Sequence, residues 1–317
     1  MIKLNETPVT EDQIDSLGHL NVRYYIERMD DANRRLLSGL GIVGNADTFL
    51  RRVDTYNKFR REQFEGAVLS THGALIAEGL IGPAGSVPAY FEVRNEATGE
   101  IAASFLTATL RVDQTTQQPV GALVSEGSPS SGELAPMAPP EASLPRSLSL
   151  SAPRVIPMQT LMDELPTEVV QGNMTGRREN VVKVEDCDDR GRLREDVDLM
   201  TIVFRAMPQD ADDQATMGPP IQRDESGRRF AWAMMETRSY VFEYPHVGDA
   251  VIALSVDLDC GDKWRQTRRF MFNKGSGSIL GVYDSIGVCI DLDARRAIET
   301  PAALKELIKA TARPDWR

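Results

Sequence analysis

One short pattern occurs twice in this chain. Asp15-x-x-Gly18-x-Leu20 returns as Asp188-x-x-Gly191-x-Leu193, each residue 173 positions after its counterpart. Downstream, Gly248 restates Gly66, and Gly277-x-Ile279 with Ile290-Asp291 restates Gly99-x-Ile101 with Val112-Asp113 at a spacing of 178. Three anchors in the same order mark a duplicated unit, and 317 residues suffice for two cores. The chain should therefore fold as two successive units of like topology.

The first unit reads as a helix followed by an antiparallel meander. From Asn21 onward, Val22, Tyr25, Ile26, Met29, Ala32, Leu36, Leu37 and Leu40 recur at helical spacing, with Glu27, Arg28, Asp31 and Arg34 largely on other faces, and Gly39 and Gly41 close the run. Strands are expected at 47–61, 67–78, 88–95 and 101–112, the last two joined by the turn Glu96-Ala97-Thr98-Gly99-Glu100. The second unit repeats this with a shorter helix, Glu195 to Met207, stopped by Pro208, and strands at 229–243, 249–259, 264–273 and 279–291. A last helix should run from Pro301 to Ala310 with proline in its first turn. The Pro- and Ser-rich stretch 119–157 reads as a surface linker, partly disordered, which divides the chain into 1–118, 119–157 and 158–317.

Residues 15–25 carry the candidate chemistry. Asn21 is placed to cap the helix, so first-turn N–H groups around Val22 to Tyr24 lack helical partners and face the loop that holds Asp15. Such a helix start favours negative charge developing on a carbonyl oxygen under attack. Asp15, one short loop away, could attack the carbon itself or take a proton from water. The same residue types also make an ordinary capped turn, and spacing alone leaves both readings open.

An acid three residues before Gly18-His19, then Asn21 and the aromatic pair Tyr24-Tyr25 opening a helix, resembles the hotdog-fold thioesterases: 4-hydroxybenzoyl-CoA, betainyl-CoA and acyl-ACP thioesterases. The resemblance covers a short signature and a strand order. It implies an α+β chain of two fused hotdog units, each an antiparallel sheet wrapped around a helix. It also implies a thioester hydrolase with Asp15 as nucleophile or general base, and His19 and Asn21 positioning water and substrate. Val22, Arg23 and Tyr24 become substrate contacts. Leu17 and Val22 stand where the acyl-ACP enzymes have Asn, whereas Gly18-His19-Leu20 and Arg23-Tyr24 are closer to the betainyl-CoA type, which makes a small or medium acyl-CoA the preferred substrate and an acyl-carrier thioester the other.

The second copy differs where chemistry would occur. His19 becomes Arg192 and Asn21 becomes Arg194, so one active site and one decayed copy is the simplest expectation. Arg190, Arg192 and Arg194 could meet the phosphates of a pantetheine-bearing ligand or form a solvated charge run.

Composition narrows the alternatives. A net charge of −11 argues against nucleic acid or an anionic membrane as partner. Three scattered cysteines and three histidines, with no HExxH or Cys/His cluster, give no expectation of a disulfide framework, metal or cofactor, and a reducing cytoplasm fits. No GxSxG elbow is present, and Gly275-Ser276-Gly277 between strand-like segments reads as a hairpin turn. A non-catalytic acyl-binding or scaffold role on the same fold stays open. So does assembly of the double unit into a homo-oligomer.

Overall fold

The computed structural model describes residues 1–15, 17–121, 135–165, 176–203, 205 and 221–317. The chain divides into two units, Met1–Ala152 and Pro153–Arg317. In the first, β1 (Ile2–Pro8) leads through a 3-10 turn (Glu11–Gln13) to α1 (Val22–Gly39), then β2 (Thr48–Phe59), β3 (Val68–Leu75), β4 (Val87–Asn95) and β5 (Ile101–Asp113). The strands are antiparallel, in the order β1-β3-β4-β5-β2. α1 packs on β1, β3 and β4 through Tyr25, Met29, Ala32, Leu36 and Leu37, all buried. This is the hotdog arrangement, and it includes an edge strand, β1, that the polar N-terminal residues did not announce.

The other face of this sheet is covered by a segment expected to be linker. Residues 122–134 of that stretch lie outside the described residues, but 135–152 are docked on the first unit. Ser143, in a 3-10 turn at Glu141–Ser143, is buried and hydrogen-bonds the Tyr90 hydroxyl at 2.7 Å. Arg60 donates to Ser143 Oγ and to the Ala142 carbonyl, and Lys58 to the Leu144 carbonyl. Proline and serine here supply fixed turns and short hydrogen-bonding side chains rather than disorder.

Between β3 and β4 the chain turns through Gly82, whose φ of +77° lies in the left-handed region. A Cβ at this position would come within 2.2 Å of the Ala108 Cβ. Gly82→Ala therefore combines backbone strain with overpacking and should cost about 1–3 kcal/mol in a urea titration.

The second unit repeats the plan. α2 (Met158–Glu164) is followed by β6 (Gly176–Val181), a 3-10 turn at Val184–Asp186, α3 (Leu199–Val203), β7 (Gln222–Arg223), β8 (Arg229–Val241), β9 (Ala250–Cys260), β10 (Trp264–Asn273), β11 (Ile279–Asp291), β12 (Arg296–Ala297) and α4 (Ala302–Thr311). The strand order β6-β9-β10-β11-β8 matches that of the first unit, with β12 on β11 and β7 on β8. The hairpin turns agree atom for atom: Gly99 N–H donates to the Asn95 carbonyl at 2.8 Å, and Gly277 N–H to that of Asn273 at 2.8 Å.

Two helix expectations are corrected here. α3 starts at Leu199 rather than Glu195, because the Asp198 carboxylate accepts the Met200 N–H and so ends the preceding turn; Met207 lies outside the described residues. Pro301 stands just before α4 as its N-cap, not inside its first turn.

Candidate active site

The Asp15 loop is a closed structure with few free parts. Ile14 bridges Leu20, the Asp15 N–H donates to the His19 carbonyl at 2.9 Å, and the Gly18 N–H returns to the Asp15 carbonyl at 2.9 Å. Gly18, at φ +80°, makes that reversal possible. The Leu17 N–H donates to Asp15 Oδ1 at 2.9 Å, so the carboxylate is held by the turn it begins.

His19 stands over this carboxylate. Its Nδ1 is 3.6 Å from Asp15 Oδ1 and 3.4 Å from the Leu20 carbonyl, while its Nε2 is 3.7 Å from Glu62 Oε1. Asp15 and His19 are largely enclosed, and Glu62 is half exposed at the end of the row. Burial pushes the Asp15 pKa above its ordinary 3.8, opposed by the charge of His19 and by the N–H groups of Leu17 and His19. A raised carboxylate beside an imidazole is suited to taking and passing on a proton.

Asn21 caps α1 as expected, with its side chain accepting the Arg23 N–H at 3.0 Å. The Tyr24 N–H is also taken, by the Asn21 carbonyl at 3.0 Å. Of the three first-turn donors, only the Val22 N–H has no protein acceptor among the described residues. The expected set of three thus narrows to one. Arg23 and Tyr24 sit at the same helix start: Arg23 is exposed and pairs with Glu27, its guanidinium lies 5.7 Å from the Tyr24 ring, and the Tyr24 hydroxyl donates to the Asp12 carbonyl.

The second loop keeps this backbone. Asp188 N–H donates to the Arg192 carbonyl at 2.8 Å, Gly191 N–H to the Asp188 carbonyl at 2.9 Å, and Cys187 bridges Leu193. Its side chains are paired differently. Arg192 is buried with Nη2 2.8 Å from Asp188 Oδ2, so its charge is spent inside the loop, and Arg194 pairs with Asp196 and the Glu185 carbonyl. A phosphate contact is not what this geometry offers for Arg192.

Sequence reading missed Glu62, Gln13 and Arg28. Glu62 lies more than forty residues from His19, a proximity that only the folded β2 end creates. Gln13 carried a usable signal, since Asp186 lies 173 positions after it, at the spacing of the duplicated loop.

No protein-family model and no curated protein matches the sequence. Solved structures do. A 12:0-ACP thioesterase from Umbellularia californica is similar over 89% of this chain and 92% of its own, with a TM-score of 0.59 at 10% identity. An acyl-ACP thioesterase from Bacteroides thetaiotaomicron is similar over 89% and 96%, with a TM-score of 0.56 at 10% identity. A Lactobacillus plantarum protein assigned as an oleoyl thioesterase reaches 0.57 at 14% identity over 90% and 94%. Each likeness spans nearly the whole of both chains, so it includes both units. At such identities the likeness is one of fold, and by its fold the chain is a tandem hotdog protein.

Proposed function

We propose that this protein hydrolyses an acyl-CoA thioester, using the first unit's loop and helix start. The observation that supports the reading is a buried Asp15, its pKa raised by burial, with His19 Nδ1 3.6 Å from its Oδ1; the Val22 N–H, at the helix start that follows the loop, has no protein acceptor among the described residues. Asp15 takes a proton from water, and the water oxygen attacks the thioester carbon. The carbonyl π electrons move onto oxygen, which the Val22 N–H and the helix dipole stabilise. When the C=O bond re-forms, the C–S bond breaks and the thiolate leaves, taking up the proton that Asp15 accepted. His19 orients the carboxylate, and Glu62 holds the far side of the imidazole. The general-base role suits a carboxylate held by two backbone N–H groups better than direct attack. The preference for CoA over a carrier protein rests on Gly18-His19-Leu20, Arg23-Tyr24 and the absence of Asn at Leu17 and Val22.

Thiol release from a panel of acyl-CoAs and acylated carrier protein, followed with a thiol-reactive dye, tests this. Release from the CoA esters is expected; release from the carrier alone would overturn the substrate class, and release from neither would overturn hydrolysis. The pH dependence follows from Asp15, which works only when ionised. Activity should fall as pH drops through a midpoint above 3.8, and His19→Gln should move that midpoint higher, because His19 favours the ionised form.

A further inference from the structure

One buried guanidinium holds three segments around the Asp15 loop. Arg28, in the second turn of α1, is 7% exposed. Its Nη1 donates to the Tyr24 carbonyl at 3.0 Å, and its Nη2 to the Pro8 carbonyl at 3.0 Å and to Gln13 Oε1 at 2.9 Å. The Arg28 carbonyl accepts Asn5 Nδ2 at 2.9 Å, and the Gln13 carbonyl accepts the Asn21 N–H at 3.0 Å. Arg28 thus joins the strand that enters the loop, the turn before Asp15 and the helix that leaves it. All three of its acceptors are neutral, and no carboxylate among the described residues pairs with it.

The second unit builds the same device with a different charge. Asn180 Nδ2 donates to the Arg205 carbonyl at 3.2 Å, as Asn5 does to that of Arg28. The Arg205 guanidinium meets the carboxylate of Asp186, the residue that stands where the first unit has Gln13. An ion pair is the stronger tie for a buried arginine. The unit with an intact Asp-Gly-His loop nonetheless uses an amide. A carboxylate at position 13 would put a second negative charge two residues from Asp15 and oppose its ionisation.

We infer that Arg28 is a positioning residue for Asp15, and that Gln13 is its partner because an uncharged acceptor holds the loop without disturbing the carboxylate. The inference rests on the thioesterase reading of this site. Two variants separate positioning from simple support. Arg28→Met should lower kcat about tenfold or more with KM changed by less than about threefold, and Arg28→Lys should not restore it, because one ammonium cannot span the three acceptors. Gln13→Asp recreates the second unit's ion pair, so melting should occur at the same temperature or higher. Its acid limb should nevertheless move to higher pH. If Gln13→Asp leaves both kcat and the acid limb unchanged while Arg28→Met loses only melting temperature, Arg28 merely supports the fold and the inference is overturned. Titration of 13C-labelled Asp15 in the full chain separates the two readings. Should the wild-type protein hydrolyse no thioester, an upward shift of Asp15 in Gln13→Asp would still support the Arg28–Gln13 assignment, and no shift would overturn it.

Discussion

Asp15→Asn is expected to reduce thioester turnover by roughly a hundredfold or more, the scale for losing a positioned base, while Asp188→Asn loses little. Asparagine keeps the size of the side chain and an oxygen to accept the Leu17 N–H, but it cannot take a proton from water. Asp188 occupies the same backbone turn, yet its carboxylate is bound by Arg192 at 2.8 Å, where the first loop has His19. Steady-state rates with one acyl-CoA would decide the matter: a loss at Asp188 and none at Asp15 would move the site to the second unit.

The same substitution makes a prediction of opposite sign for stability. Burial raises the Asp15 pKa above its unfolded value, so the folded protein binds that proton more tightly than the unfolded chain does. The benefit of the protonated form is complete below 3.8 and fades as pH rises through the raised value; at neutral pH the ionised side chain is a cost to the fold. Asp15→Asn should therefore melt no lower than wild type at pH 7. A variant that is inactive and also strongly destabilised would indicate a structural carboxylate.

The largest loss of stability is expected in the second unit, at Asp284→Ala. Arg268 meets this carboxylate through two parallel bonds, Nε to Oδ1 at 2.7 Å and Nη2 to Oδ2 at 2.8 Å, and its Nη1 donates to the Trp316 carbonyl at 2.8 Å. Both side chains are buried, on the sheet face that carries Val256, Phe270 and Trp316. Removing the carboxylate leaves a guanidinium without its counter-charge in an apolar setting, which typically costs about 3–5 kcal/mol. Arg268→Met together with Asp284→Leu should recover most of that loss, since the double variant buries no unpaired charge. Urea denaturation of the single and double variants tests the pair; equal losses in both would show that packing rather than charge holds this face.

What the sequence determined by itself was local or periodic. The helical spacing of Tyr25, Met29, Leu36 and Leu37 located α1, and the β-rich runs located the eight long strands to within a few residues, because each pattern records which face of one element is buried. The duplicated Asp-x-x-Gly-x-Leu revealed the repeat because a tight turn with a left-handed glycine requires those residue types in that order. Asn21 was legible as a cap for the same reason.

What only tertiary structure decided depends on residues distant in the chain. β1 is polar and mostly exposed, so no apolar period marks it; its place is fixed by pairing with β3. The Pro/Ser-rich stretch after 135 looks like linker until Lys58 on β2, Arg60 just past its end and Tyr90 on β4 supply its hydrogen-bond partners. His19 gains Glu62, and Arg28 gains Pro8 and Gln13, only after the loop closes on itself. The fate of Arg192 was settled the same way. Its charge reads as available in the sequence and is consumed in the fold, because a buried guanidinium needs an anion and the nearest one is the aspartate of its own loop.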